Sequence, residues 1–357
     1  MRFSRCPLWL LAALCVATLG AGGQLLLAQN QNSLPQPILG ATAELTPQEQ
    51  TTVDAFVDAQ VARLQSDDPE QVAQGRSRLA EQYSLSTSQF FKDYYDQAIA
   101  TRINPLLAPD GPLMTRLNVA IVSAKLSGQS LVTVLQAGEN DPSAAVRYWI
   151  AKAVGEAAKN NRLNKQEQQD VLDVMARRLK AEDSSLVLEQ VMLAMAEIDL
   201  PDAIRKVLEG LDARVLFHKN NPDARFKPVH GGMKQLWSKL IALRSGSKNV
   251  DKEQFELARI AFRYYTLIAD QLATTAAENP DNKDDKEAQN TRQDKVAMAG
   301  ICSRVMDDVA RQVARVTPPQ PIDPYNPAEL RVSADRWREI LKAPPFNFTD
   351  EDLAVSE

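Results

Sequence analysis

The sequence predicts an all-α protein: a short, irregular α-solenoid of helical hairpins, followed by a long-helix hairpin or small bundle. Three observations predict it. Apolar residues recur at helical spacing between breaks rich in Pro, Gly or charge. Aromatics make up only 6% while alanine is abundant, a mix that suits helices whose backbones approach closely. A weak internal repeat, 42 residues long, links the helices that begin at Asp141 and Asp183. The chain is long enough for one large domain or two ordinary ones, and 44% hydrophobic residues can fill a sizeable core.

Residues 1–28 read as an export signal. Arg2 and Arg5 precede an apolar run from Leu8 to Leu19, and small residues follow from Gly20 to Gly23. Cleavage after Ala21, Gly23 or Ala28 is one outcome. Retention as an anchor is the other, since Leu8 to Ala28 is long enough to span a bilayer. A lipid-modified cysteine is disfavoured, because Leu14 rather than a small residue precedes Cys15. Residues 29–43 are polar with Pro35 and Pro37, and read as a tether.

The array is expected over 44–216. Thr46-Pro47-Gln48-Glu49 is a helix start, with a cap, a first-turn proline and an acid at the third helical position. Val53, Phe56, Val57, Val61 and Leu64 then share one face. Asp68-Pro69 opens the next helix, and a longer one after Ser86 carries Phe90, Phe91, Tyr94, Tyr95, Ile99 and Ile103. Asp141-Pro142 opens a helix striped by Val146, Ile150 and Val154, and Gly155 marks a weak point or a close approach. Helices over 166–179, 184–198 and 201–215 follow with short links, which force neighbours to run antiparallel.

At an offset of 42, Val146 corresponds to Leu188, Ile150 to Met192 and Val154 to Ala196. The run Asp141-Pro142, Val146-Arg147 and Ala151 resembles the second-helix pattern of the HEAT and armadillo class of helical repeats. The resemblance covers residues 112–215, where Pro112, Arg116 and Ala120 form an irregular earlier unit. It implies a fold and brings no active-site residues with it. An irregular bundle without solenoid curvature is the competing architecture.

After Val215 the pattern changes. Residues 217–232 hold Asn220, Asn221, Pro222, Pro228, Gly231 and Gly232 and read as a long loop. Residues 233–316 read as the helical hairpin or bundle, interrupted by a disordered link over 279–294 that is almost devoid of apolar residues. Residues 317–357 read as a Pro-rich and acidic tail with one short helix, Ala334 to Leu341.

Charge excludes some functions. The net charge is −5, and losing Arg2 and Arg5 makes it more negative still. Nucleic-acid binders need a basic footprint, so none is expected as a partner. No polybasic cluster suits an anionic membrane, which leaves an uncleaved signal anchor as the one route to a membrane.

Catalytic chemistry is sparse. Cys6 and Cys15 fall in the signal, so a processed chain keeps Cys302 alone; an internal disulfide is then impossible and a buried, inert thiol is expected. The two histidines, His218 and His230, both fall in the predicted loop at a spacing that fits no common zinc pattern. A site built from them and Asp223 is the enzymatic alternative. Some helical-repeat proteins are metal oxygenases with repeated His-Glu pairs and others are bilin lyases; no His-Glu pair occurs here. No Gly-x-Ser-x-Gly, phosphate loop or EF-hand spacing occurs either, and no cofactor is expected.

Aromatic clusters read either as packing between neighbouring helices, the favoured reading, or as contact surfaces. Tyr94, Tyr95, Tyr148, Trp149, Tyr264 and Tyr265 stand where one buried stripe does not need them all, and aromatics are enriched at the centres of interfaces. The expectation is an exported, non-catalytic scaffold of the periplasm or extracellular space that grips a protein or peptide. The alternatives are an enzyme or enzyme subunit using the His218–His230 loop, and a membrane-anchored structural protein of the envelope.

Overall fold

A computed structural model describes residues 33–245, 250–278, 286–320 and 322–355. The predicted signal, 1–28, lies outside the described residues. Fifteen α-helices and no strand occur among the described residues. The chain divides into two compact units, one ending at Ala137 and the other beginning at Gly138.

The first unit starts with a short helix, α1 (Gln36–Leu39). The tether expected over 29–43 is wrong from residue 33 onward. Leu34, Ile38 and Leu39 are buried, the Leu34 N–H donates to Gln82 Oε1 at 3.2 Å, and Ser86 Oγ donates to the Leu39 carbonyl at 2.6 Å. Three apolar side chains among polar ones are enough to dock the segment once a groove exists for them.

Helix α2 (Pro47–Leu64) begins with the expected capping box between Thr46 and Glu49. Its apolar stripe, Val53 to Leu64, packs on α3 (Pro69–Leu85) and α4 (Gln89–Ile103). Helices α5 (Leu113–Ser123) and α6 (Gly128–Gly138) follow. Buried Asp96 accepts from the Tyr83 hydroxyl and from the Ser127 hydroxyl and amide, so a buried carboxylate is satisfied by neutral donors.

The second unit is built from second-neighbour contacts. Its helices are α7 (Ala144–Lys159), α8 (Lys165–Ala181), α9 (Ser185–Glu197), α10 (Pro201–Asn220), α11 (Lys227–Ser245), α12 (Asp251–Glu278), α13 (Lys286–Val309), α14 (Pro327–Lys342) and α15 (Asp350–Leu353). Helix α7 packs on α9, α9 on α11, and α11 on α13. Helix α8 packs on α10, α10 on α12, and α12 on α14. The same pairing therefore continues past Val215, and residues 233–316 extend both rows in addition to packing α12 on α13. The corresponding stripe positions Val146, Ile150, Val154, Leu188, Met192 and Ala196 are all buried. At the crossing of α7 and α9, a Cβ on Gly155 would stand 3.3 Å from Ala194 Cα, which makes Gly155 a close approach rather than a weak point.

Three boundaries differ from the sequence reading. The loop expected over 217–232 shrinks to 221–226, because α10 continues to Asn220 and α11 starts at Lys227. Pro228 sits in the first turn of α11, where its missing N–H breaks no helical bond. Gly231 and Gly232 lie inside α11 against α9; Cβ atoms there would fall 2.6 Å from Glu189 Oε1 and 2.3 Å from Met192 Sδ, the movable ends of two flexible side chains. In the link expected over 279–294, residues 286–294 are the exposed start of α13, and 279–285 lie outside the described residues. The tail is more ordered than expected. Helix α14 is capped by Asn326, buries Trp337 and packs on α12, and α15 is capped by Thr349 and buries Leu353.

Candidate functional site

The six aromatic candidates separate by burial. Tyr95 is wholly buried, stacked on Phe91 with ring centroids 5.0 Å apart and meeting Tyr83 edge-on at 5.2 Å. Its hydroxyl donates to the Leu79 carbonyl at 3.1 Å, and burial raises its pKa well above that of a free phenol. Tyr264 and Tyr265 are also core residues. Helix α12 has α10, α13 and α14 around it, so two adjacent positions are both covered. These three tyrosines are corrected from contact residues to core.

Tyr94, Tyr148 and Trp149 keep partial exposure. The Tyr94 hydroxyl donates to Asp54 Oδ2 at 3.0 Å, beside the Arg102–Asp54 ion pair at 3.2 Å. Tyr148 and Trp149 meet at right angles, 5.9 Å apart, with the Lys152 ammonium 4.4 Å above the indole. Tyr94 belongs to the first unit and the Tyr148–Trp149 pair to the second.

Sequence reasoning missed the clearest surface feature of the first unit. A groove of about 290 Å³ runs between α3 and α5. Ala73, Ala80, Leu79, Tyr83, Ile121 and Val122 line it, and Arg76 and Lys125 stand at its edge. The small side chains Ala73, Ser77 and Ala80 on α3 leave the space open. Their spacing of three and four is the available sequence signal, since such residues share a helix face. A polar hollow lined by Arg78, Glu81 and Ser84 adjoins it, sharing Ser77, Ala80 and Lys125. The arrangement offers an apolar slot with basic groups at the rim.

The second unit carries a buried charge cluster at the joint between α8 and α9. Glu182 has no exposed surface, and accepts from Arg147 Nε at 2.9 Å, Arg147 Nη2 at 2.7 Å and Arg178 Nε at 2.6 Å. The Ser184 and Asp183 amides add bonds of 2.7 and 3.1 Å, and the Glu182 carbonyl takes Arg214 Nη1 at 2.8 Å. Arg147 Nη1 also donates to the Asp141 carbonyl at 2.7 Å. Burial raises the carboxyl pKa, but the two guanidiniums and the two amides outweigh it and hold it at about 2. Glu182 and Arg147 are committed to bonds within the fold, while Arg214 Nε is buried without a hydrogen-bond partner.

Of the two histidines in the enzymatic alternative, the structure describes the side chain of His218. His218 belongs to α10 rather than to a loop, and it is fully buried. Its Nδ1 lies 2.8 Å from the Arg214 carbonyl and its Nε2 3.1 Å from the Arg225 carbonyl. The ring stacks on Phe226 at 4.2 Å and meets Tyr264 edge-on at 5.7 Å. Burial lowers its pKa, against the two carbonyls that raise it. His230 lies on α11, and its side chain is outside the described residues. Asp223 is exposed on the 221–226 link and makes no contact with the His218 ring nitrogens. Among the described residues, no group of three His, Cys, Asp or Glu could hold a metal ion, and no helix is long and apolar enough to cross a membrane.

The fold thus defines an all-helical protein of two units, the second arranged in two rows of helices. Set against protein-family models, curated proteins and solved structures, the chain matches none.

Proposed function

We propose that this chain is an exported, non-catalytic scaffold that holds a protein or peptide segment in the groove between α3 and α5. The observation that carries the reading is the groove itself: an apolar slot with Arg76 and Lys125 at its edge. Its chemistry suits an apolar side chain followed closely by an acidic one, since each would meet its complement. The partly exposed Tyr94 and the Tyr148–Trp149 pair are secondary contacts in this reading.

The second-neighbour pairing of α7 to α14 supports a helical-repeat architecture of the HEAT-like kind, because stacked hairpins bury their faces in that order. The reading of Arg2, Arg5 and the apolar run after them supports export. Scaffolds of this type act by surface rather than by a reactive centre, which fits the commitment of Glu182, Arg147 and His218 to internal bonds.

A photo-crosslinking residue at Ala80, introduced in the full chain in its native host, tests the proposal. One stoichiometric protein adduct, lost when Ile121→Glu is added, is the expected result. Absence of any adduct at Ala80, with an equally silent probe at Trp149, would sink it. N-terminal sequencing of the extracted protein separates a processed chain from an anchored one.

A further inference from the structure

Lys295 is 5% exposed, yet it has no hydrogen bond or ion pair with any described residue. An ammonium taken out of water without a partner is expensive, so such a group is normally matched by an anion. The adjacent carboxylate, Asp294, is turned to the Phe226 amide, with Oδ2 accepting at 2.5 Å, and forms no ion pair with the lysine. Asp223 attracts the ammonium but forms no ion pair with it, and burial shifts the lysine pKa downward.

The lysine lines a cavity of about 370 Å³ whose walls come from the 221–226 link, α12 and α13. Its ammonium is not among the sealed, unpartnered atoms of the fold, so the cavity is its outlet. Arg225, Arg292, Thr291 and Leu272 line the same space. Against these three cations stand two carboxylates, Asp223 and Glu287. Asp294, next in sequence to Lys295, keeps its own negative charge, so the anchor offered to a ligand is the unpaired Lys295 ammonium rather than a net positive charge. Its volume sits at the lower end of the roughly 300–1,000 Å³ seen for small-molecule sites.

We infer that this cavity binds a small organic oxyanion, a carboxylate or phosphate ester, whose charged end pairs with Lys295 and is flanked by Arg225 and Arg292. Thr291 donates a further hydrogen bond. Asp223 and Glu287 accept from hydroxyl groups on the ligand body, and Leu272 covers its carbon skeleton. The site lies in the second unit and is independent of the peptide groove.

Isothermal titration of the full chain with succinate and with glycerol phosphate, at ionic strength held constant with sodium chloride, tests the inference. At least one should bind saturably, with Kd on the order of 1 mM or tighter. Lys295→Met should weaken that binding at least tenfold without lowering the urea midpoint of the free protein, because it removes an unpaired buried charge. Arg225→Gln with Arg292→Gln, both on exposed side chains, should weaken it severalfold and provides the test if Lys295→Met does not fold. Failure of both anions to bind saturably overturns the inference. So does binding that is unchanged in the variants.

Discussion

Arg147 and Glu182, 35 positions apart, form a two-point ion pair: Nε to Oε2 at 2.9 Å and Nη2 to Oε1 at 2.7 Å. It ties the body of α7 to the joint between α8 and α9. Planar fork-to-fork geometry of this kind fixes direction as well as distance. Removing one partner leaves the other charge buried and uncompensated. Glu182→Ala should therefore destabilise the second unit by about 3–5 kcal/mol, measured as a shift of its urea midpoint. Arg147→Met combined with Glu182→Leu should recover part of that loss, and a double variant as unstable as Glu182→Ala would refute the account.

The same carboxylate makes a pH prediction. Its folded pKa is about 2, below the ordinary 4.5. The unfolded chain thus binds the proton more readily, so the pair's contribution is complete above pH 4.5 and is lost as pH falls from 4.5 towards 2. The acid limb of thermal unfolding in that window should flatten in Glu182→Gln relative to the parent.

His218 acts in a higher window. Burial lowers its pKa below 6.5, so the ring is favoured in its neutral form in the folded state. A neutral ring has one N–H for two facing carbonyls, so only one of them receives a hydrogen bond from the ring. Stability should be full above pH 6.5 and decline as pH falls below it, because the unfolded ring takes up a proton first. Thermal midpoints of the parent between pH 8 and pH 5 should fall more steeply than those of His218→Gln. Parallel curves would refute the assignment.

Two glycines should respond in opposite directions to the same change. A Cβ on Gly210 would stand 2.1 Å from Leu179 Cδ2, at the crossing of α10 and α8. Gly210→Ala should cost about 1–3 kcal/mol by overpacking. Gly300, inside α13, has nothing within 4 Å of that position. Gly300→Ala should stabilise by about 0.5–1 kcal/mol through helix propensity alone. Differential scanning calorimetry of the two variants checks both signs.

Cys302 has no exposed surface, and burial raises its thiol pKa far above the usual range. Its thiolate population at neutral pH is negligible. Mass spectrometry should find the Cys302 peptide unalkylated after iodoacetamide treatment of the native protein, and fully alkylated after the same treatment in urea.

Much of the helical layout was legible in local chemistry. The Thr46–Glu49 box, the first-turn Pro69 and the stripe Val146, Ile150, Val154 act within one or two turns, and all appear where the sequence places them. What was illegible depends on distant neighbours. Gly231, Gly232 and Pro228 look like loop residues until α9 is in place against α11. Leu34, Ile38 and Leu39 look like part of a tether until Gln82 and Ser86 offer hydrogen bonds to their backbone. Tyr95 and Tyr265 look surplus to a single stripe, because the number of helices surrounding α4 or α12 is not written in either helix. The groove between α3 and α5 comes from the small side chains Ala73, Ser77 and Ala80 on α3 facing Ile121 and Val122 on α5, a pairing that periodicity on one helix does not register.

The two rows of the second unit have a kinetic meaning. Each helix from α7 to α14 is secured mainly by elements one or two steps away in the chain, so contact order is low and loop closure is inexpensive. With contacts this local, structure is expected to form stepwise between neighbouring helices. Opening is expected to begin at α14, which among the described residues packs mainly on α12. Amide hydrogen exchange should grade inward from that end, with α10 and α12 slowest, so that the unit behaves less like a single switch than like a zip fastened at the middle.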